Sequence, residues 1–338
     1  MDGKLMNSHA RKLLALAILL IASISAQALT LKVATLAPNG TTWMKEMKKG
    51  AAEIRKKTSG RVKIKFYPGG VMGNDASVHR KIRINQLQGG AFSSSGMSWA
   101  NSAIQLYSLP MLFRSFDEVD HVRPVMDAKI KQAMADSGFI ILGITEGGFA
   151  RIMSSQPVND LEMVRKTKVW VPEGDELGAM TMDALGVQPI ALPLSDVFTG
   201  LQTGLIETIT ASSTGAIAFQ WHTRVNHLID TPVMYLIGTL AVSKKAFNRI
   251  KPDDQAILVE EMDRVFDRLG TINRKDNIGA TAALRNQGLE FVEPDPAEVD
   301  RWRQLSQQSI QEMLAEGAID SGLYGEVQAL LEEFRQQP

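Results

Sequence analysis

The chain has 338 residues, 37 Lys and Arg against 37 Asp and Glu, and no cysteine. Balanced charge argues against a nucleic-acid binder, which carries a strongly basic face. The lack of cysteine excludes disulfides, thiolate metal sites, cysteine nucleophiles and lipid attachment at an N-terminal cysteine. With 44% apolar and 22% charged residues the composition is that of an ordinary globular chain, and its length suggests about two domains.

Residues 1–28 read as a secretory signal peptide. Lys4, Arg11 and Lys12 form a positive start, Leu13 to Ile24 is an apolar run, and Ala26-Gln27-Ala28 is a small-x-small cleavage site. The run is shorter than the roughly 20 residues that a membrane helix needs. Cleavage removes three cations and one anion, which leaves an exported chain of net charge −2 that begins near Leu29.

Leu31 to Leu36 is strand-like, and the turn Pro38-Asn39-Gly40 follows it. Thr41 or Thr42 can then cap a helix that carries Trp43, Met44, Met47, Ala51 and Ile54 on one face. Arg61 to Phe66 alternates cleanly as a second strand, and a glycine-rich turn from Pro68 to Gly73 leads into a helix near Asp75. A helix over 117–136 precedes a buried-type strand at Phe139–Ile144. A short strand at Val169–Val171 is followed by a helix from Asp175 to Leu185, and strand and helix alternate to about residue 243. This predicts an α/β chain with largely parallel sheets. From Pro252 to about Asn286 the pattern is helical without a break, a span of about 50 Å at 1.5 Å per residue, long enough to cross two lobes. Two more helices are expected at about 296–315 and 320–335.

Catalytic signatures are missing. The histidines are scattered, and His222 and His227 are spaced five apart, so one helix does not face both toward a metal. Gly69-Gly70-x-x-Gly73 is not a dinucleotide fingerprint, and no G-x-S-x-G elbow occurs. The expectation is therefore no catalytic residue, no metal and no cofactor. An exported α/β chain of two lobes without such groups reads as a ligand-binding protein that closes by hinge motion. An exported enzyme or a sensory binding module without transport is the alternative of another class.

Several segments carry a resemblance. They are Thr58 to Ile64 with Pro68 to Gly73, Leu109-Pro110-Met111-Leu112-Phe113, Lys168-Val169-Trp170-Val171-Pro172, and Leu192 to Gly204. From Leu31 to about Leu269 the chain resembles the DctP-type periplasmic solute-binding proteins of TRAP (tripartite ATP-independent periplasmic) transporters. The resemblance implies a periplasmic protein with two α/β lobes crossed by a long helix, and the lack of cysteine implies that it is not a lipoprotein. The lobes would be residues 29–148 with about 232–252, and about 149–231 with about 287–338, crossed by a helix at about 253–286. It also implies a small solute in the cleft, delivery to a membrane permease and, for some similar proteins, a helical-repeat periplasmic partner.

The same resemblance implies an arginine that grips a ligand carboxylate within K-x-R-V-P; Trp170 stands there instead. A second arginine of the pattern G-x-R falls on Ala150, between Phe149 and Arg151, and an asparagine position falls on Ala211. A dry cleft without arginine suits a hydrophobic or amphipathic solute better than a small carboxylate. The expected lining is Trp43, Phe149, Ala150, Arg151, Met97, Trp99, Trp170, Ala211, Ser212 and Trp221, although tryptophan and methionine serve a core equally well. An organic acid anchored by Arg151 or Arg224 is the alternative. Asp175 and Glu173 read as rim or helix-cap residues that could also meet a cationic head group.

Overall fold

The computed structural model describes residues 28–336, so all but the last residue of the expected signal peptide lies outside the described residues. Strand β1 (Leu29–Thr35) pairs in parallel with β2 (Val62–Tyr67) on one side and β3 (Gly89–Ser93) on the other. Helix α1 (Thr42–Lys57) makes the crossover between β1 and β2. It starts at Thr41, whose hydroxyl accepts the Met44 N–H, as the sequence suggests. Helix α2 (Asp75–Arg83) leads to β3, and α3 (Phe116–Asp136) leads to the long strand β4 (Phe139–Ser154).

The expectation of largely parallel sheets is not met. Strand β9 (Met234–Ser243) lies between β3 and β4 and runs antiparallel to both. Past Ala150, strand β4 exchanges β9 for β7 (Thr208–Ala211) and β8 (His227–Ile229), again antiparallel, and β10 (Glu290–Val292) extends β8 in parallel. Short strands β5 (Trp170–Pro172) and β6 (Ile190–Leu192) form a separate parallel pair. Alternation along the chain predicts crossovers, but it does not reveal that a distant strand returns in the opposite direction between two others.

The long helix occupies the predicted span: α9 (Pro252–Asn286) has 35 residues, about 52 Å at 1.5 Å per residue. Its first half closes a core of Leu31, Met47, Ile54, Val62, Leu258, Met262 and Val265. Phe266 lies so close to β4 that a Cβ on Gly143 would sit 2.2 Å from its ring, which explains why the strand carries glycine there. Its second half reaches a different core, where Leu284 joins Trp170, Ile209, Trp221 and Leu228. Near the middle of β4 the register shifts between Glu146 and Gly148, and Gly148 takes φ +88° with Asn277 of α9 where a side chain would go.

The last two helices, α10 (Pro296–Ala315) and α11 (Ser321–Arg335), match their expected spans closely. They pack against different elements. Helix α10 packs against α5 (Glu176–Ala184). Helix α11 packs against α3 instead, with Arg335 bridging Glu118 at 2.7 Å and the Phe334 ring beside His121.

Candidate functional site

A cavity of about 350 Å³ opens between β3, β4 and β9 on one side and β5 and β7 on the other. One wall is the C-terminal end of β3 with Ser93–Ser95, the middle of β4 and β9, and Trp43 from the first turn of α1. The other wall is β5 with the start of α5, the end of β7 at Thr210–Ser212, and Phe219 with Trp221. Strand ends and helix starts therefore converge on it, as in other open α/β sheets where ligands sit outside the carboxyl ends of strands.

Trp170 is fixed at this site by its strand pairing. Residues 170–172 pair with 190–192, and the indole Nε1 donates to the Leu192 carbonyl at 3.0 Å. The ring meets Trp221 edge-on at 5.6 Å, and Trp221 stacks on Phe219 at 5.2 Å. Three aromatic rings thus form one apolar wall, with the indole's polar atom satisfied inside the protein. Ten hydroxyl side chains line the cavity, and most are engaged within the protein. Ser94 and Ser108 bond each other at 2.9 Å, and Ser212 caps the next helix, α7 (Ser213–Ala218), by accepting the Gly215 N–H.

Among the described residues, the three ionisable ones that line the cavity are all acidic: Asp75, Glu146 and Asp175. Glu146 is buried and held from behind by Arg274 of α9, whose Nε lies 3.0 Å from both carboxylate oxygens. The same guanidinium forks onto Asp120 and lies over the Phe116 ring at 4.6 Å. Asp175 caps α5, accepting from the Gly178 N–H, and also accepts from Gln105 Nε2 at 2.7 Å across the cleft. Burial nevertheless raises its pKa, the Gly178 and Gln105 bonds opposing the rise. Asp75 opens α2, and burial pushes its carboxyl up to about 7. Beside them, Asn74 Nδ2 donates to Glu173 across the rim at 3.4 Å.

The raised Asp75 carboxyl has a consequence for stability. The folded state keeps this proton to about pH 7, whereas the unfolded chain loses it near 3.8, so stability from this group falls as pH rises between those values and is flat above. Asp75→Asn removes that slope. The unfolding free energy of the variant minus that of the wild type should grow from pH 5 to pH 7 and then level off, reaching about 1–2 kcal/mol once water in the cavity is allowed for. A difference that does not change with pH in a thermal-melt series would contradict this.

Of the residues expected in the site, Trp43, Trp170, Ala211, Ser212 and Trp221 line the cavity. Phe149, Ala150, Arg151, Met97 and Trp99 do not. Phe149 faces the other way along β4, edge-on to Phe116 and Tyr235 at 5.0 and 5.4 Å. Ala150 is fully buried within the sheet. Arg151 pairs with Asp230 at 2.8 Å, and Arg224 lies over the Phe198 ring at 5.3 Å. Met97 is core, and Trp99 stacks on His79 at 3.5 Å. Asp75 and Gln105 were not expected in the site. A first-turn aspartate after a glycine-rich turn reads as a partner of the helix dipole, and a lone glutamine in a loop carries no signal.

The profile of the DctP family, described as bacterial extracellular solute-binding protein, family 7, matches residues 33–317. The chain is 20% identical over 244 residues to the 2,3-diketo-L-gulonate-binding periplasmic protein YiaO of Escherichia coli, covering 71% of this chain and 73% of that one. In structure it superposes with a TM-score of 0.82 on a TRAP periplasmic solute-binding protein of Haemophilus influenzae with bound L-gulonate, at 19% identity, covering 90% of this chain and 99% of that one. A Shewanella oneidensis protein of the same description with bound succinate gives 0.82 at 18% identity, with 90% and 99% covered. These similarities establish the two-lobed fold. The matched family consists of solute-binding proteins, not enzymes.

Proposed function

Because the chain belongs to the DctP family of bacterial extracellular solute-binding proteins, we propose that it is the periplasmic receptor of a TRAP-type transporter that captures a hydrophobic or amphipathic solute and hands it to the membrane permease. The division into lobes is part of this proposal: residues 29–148 with 232–252 move against 149–231 with α10, about the part of β4 where its partner changes. Residues 1–28 would direct export.

The observation that carries the reading is the lining. Trp43, Trp170, Phe219 and Trp221 face a cavity to which, among the described residues, no lysine, arginine or histidine contributes. A carboxylate taken into such a site would lose its water without gaining a charged partner, at a cost of several kcal/mol. A solute with a large apolar body instead gains about 25 cal/mol for each Å² it removes from water.

Relatives described as binding gulonate or succinate favour a second reading, an organic acid. Its anchors would have to be Arg151 or Arg224, and both are engaged outside the cavity. Mass spectrometry of the solute carried by natively purified protein, with a thermal-shift panel of fatty alcohols, fatty acids, C4-dicarboxylates and sugar acids, separates the two. Stabilisation by the fatty compounds is expected. Stabilisation by dicarboxylates or sugar acids alone would replace the first reading with the second.

A further inference from the structure

The cavity is apolar, yet it is not electrically neutral. Glu146 has its countercharge in Arg274. Among the described residues Asp175 receives only neutral donors, Gln105 Nε2 and the Gly178 N–H. Asp75 has neither: among the described residues no hydrogen-bond donor or cation stands against its carboxylate, and burial alone governs its titration. The two carboxylates come from opposite walls. Asp75 follows Asn74, and Asp175 lies two residues beyond Glu173, the pair that meets across the rim at 3.4 Å. They therefore belong to the same end of the cleft.

Resting on the reading that this cavity holds an amphipathic solute, we propose that the solute carries a protonated nitrogen, seated at Asp75 and Asp175, with its apolar body against Trp43, Trp170, Phe219 and Trp221.

A carboxylate facing an apolar cavity is unfavourable unless a cation or donors answer it, and this site leaves that role to the ligand. An ammonium supplies up to three donors with a positive charge, and aromatic faces add cation–π attraction for whatever part of the head they reach. An anionic head would meet two carboxylates and no cation. The geometry also ties binding to closure. Like charges on opposite walls resist approach, and a cation between them turns that repulsion into attraction, so the closed form binds the ligand better than the open one.

The test compares octylamine, octanol and octanoate, which share one chain and differ in head, by calorimetry and thermal shift at pH 7.5 on the purified protein and on Asp75→Asn. The proposal expects octylamine to bind at least tenfold more tightly than octanol, with octanoate weakest. Asp75→Asn should erase most of the advantage of the amine while leaving octanol within about twofold. Asp75→Glu keeps the charge and should restore part of it, which separates the head-group role from a general effect on folding. Equal or tighter binding of octanol or octanoate overturns the cationic head group and leaves the apolar-solute reading standing. Binding of none of the three, with sugar acids or succinate binding instead, overturns both.

Discussion

Replacing Arg274 with methionine is expected to lower the unfolding free energy by about 3–5 kcal/mol, read as a shift of the denaturant midpoint. Arg274 holds the buried Glu146 through Nε and the half-exposed Asp120 through its two Nη atoms. Asp120 can return to water, so losing that arm costs little. Glu146 cannot, because it is 4% exposed in the middle of β4 with the cavity on one side and α9 on the other. The stem of Arg274 also covers the Phe116 ring, and methionine keeps most of that packing, which isolates the charge. Adding Glu146→Gln to the same chain should restore more than half of the loss, because the stranded charge is gone. A loss below about 1 kcal/mol in the single variant would show that water reaches Glu146 well enough to replace the guanidinium.

The second large effect concerns the ligand. Trp170→Arg recreates the residue implied by the K-x-R-V-P pattern of similar proteins, and it should weaken binding of an apolar or amine-bearing solute by at least about 100-fold, equivalent to 2.7 kcal/mol. Two losses add. The aromatic wall that Trp170 shares with Trp221 and Phe219 is broken, and a cation enters a cavity whose other charges were arranged without one. The same substitution should bring measurable stabilisation by a dicarboxylate or sugar acid, since the guanidinium offers a carboxylate two parallel charged bonds. Trp170→Phe, which keeps an aromatic ring and gives up the bond to the Leu192 carbonyl, should stay within about tenfold of the wild type. Unchanged affinity in Trp170→Arg would remove Trp170 from the site.

Much of the scaffold is legible in the sequence because long helices repeat their signal. Residues 252–286, 296–315 and 321–335 carry apolar residues at helical spacing without an internal break, and their ends fall close to where they are expected. Strands three or four residues long, such as β7, β8 and β10, offer too few alternations to register, and their antiparallel pairing depends on distant partners. At the site, the missing arginine is legible because a motif fixes its position, and Trp170 does line the cleft. Trp99, Met97 and Phe149 show the opposite case. Aromatic and sulfur side chains fill a core as readily as a pocket, and residue type alone does not separate the two. Asp75 is invisible for a related reason. Its chemistry depends on what stands around it in space, and its neighbours in the chain give it the ordinary look of a helix start.

The two bonds across the rim, Gln105 to Asp175 and Asn74 to Glu173, run directly from protein atom to protein atom. Closure gains them whether or not a solute rides in the cleft. The part-buried Gln105 bond contributes about 0.5–3 kcal/mol and the exposed Asn74 bond less, and about 1.4 kcal/mol changes the ratio of two forms tenfold, so in an unladen carrier these bonds work against the repulsion between Asp75 and Asp175. A permease that reads the closed outer shape meets such carriers along with loaded ones. The balance between these rim bonds and that repulsion therefore sets the fraction of encounters that deliver nothing. Weakening them, as Gln105→Ala would, trades some affinity for a larger share of productive dockings.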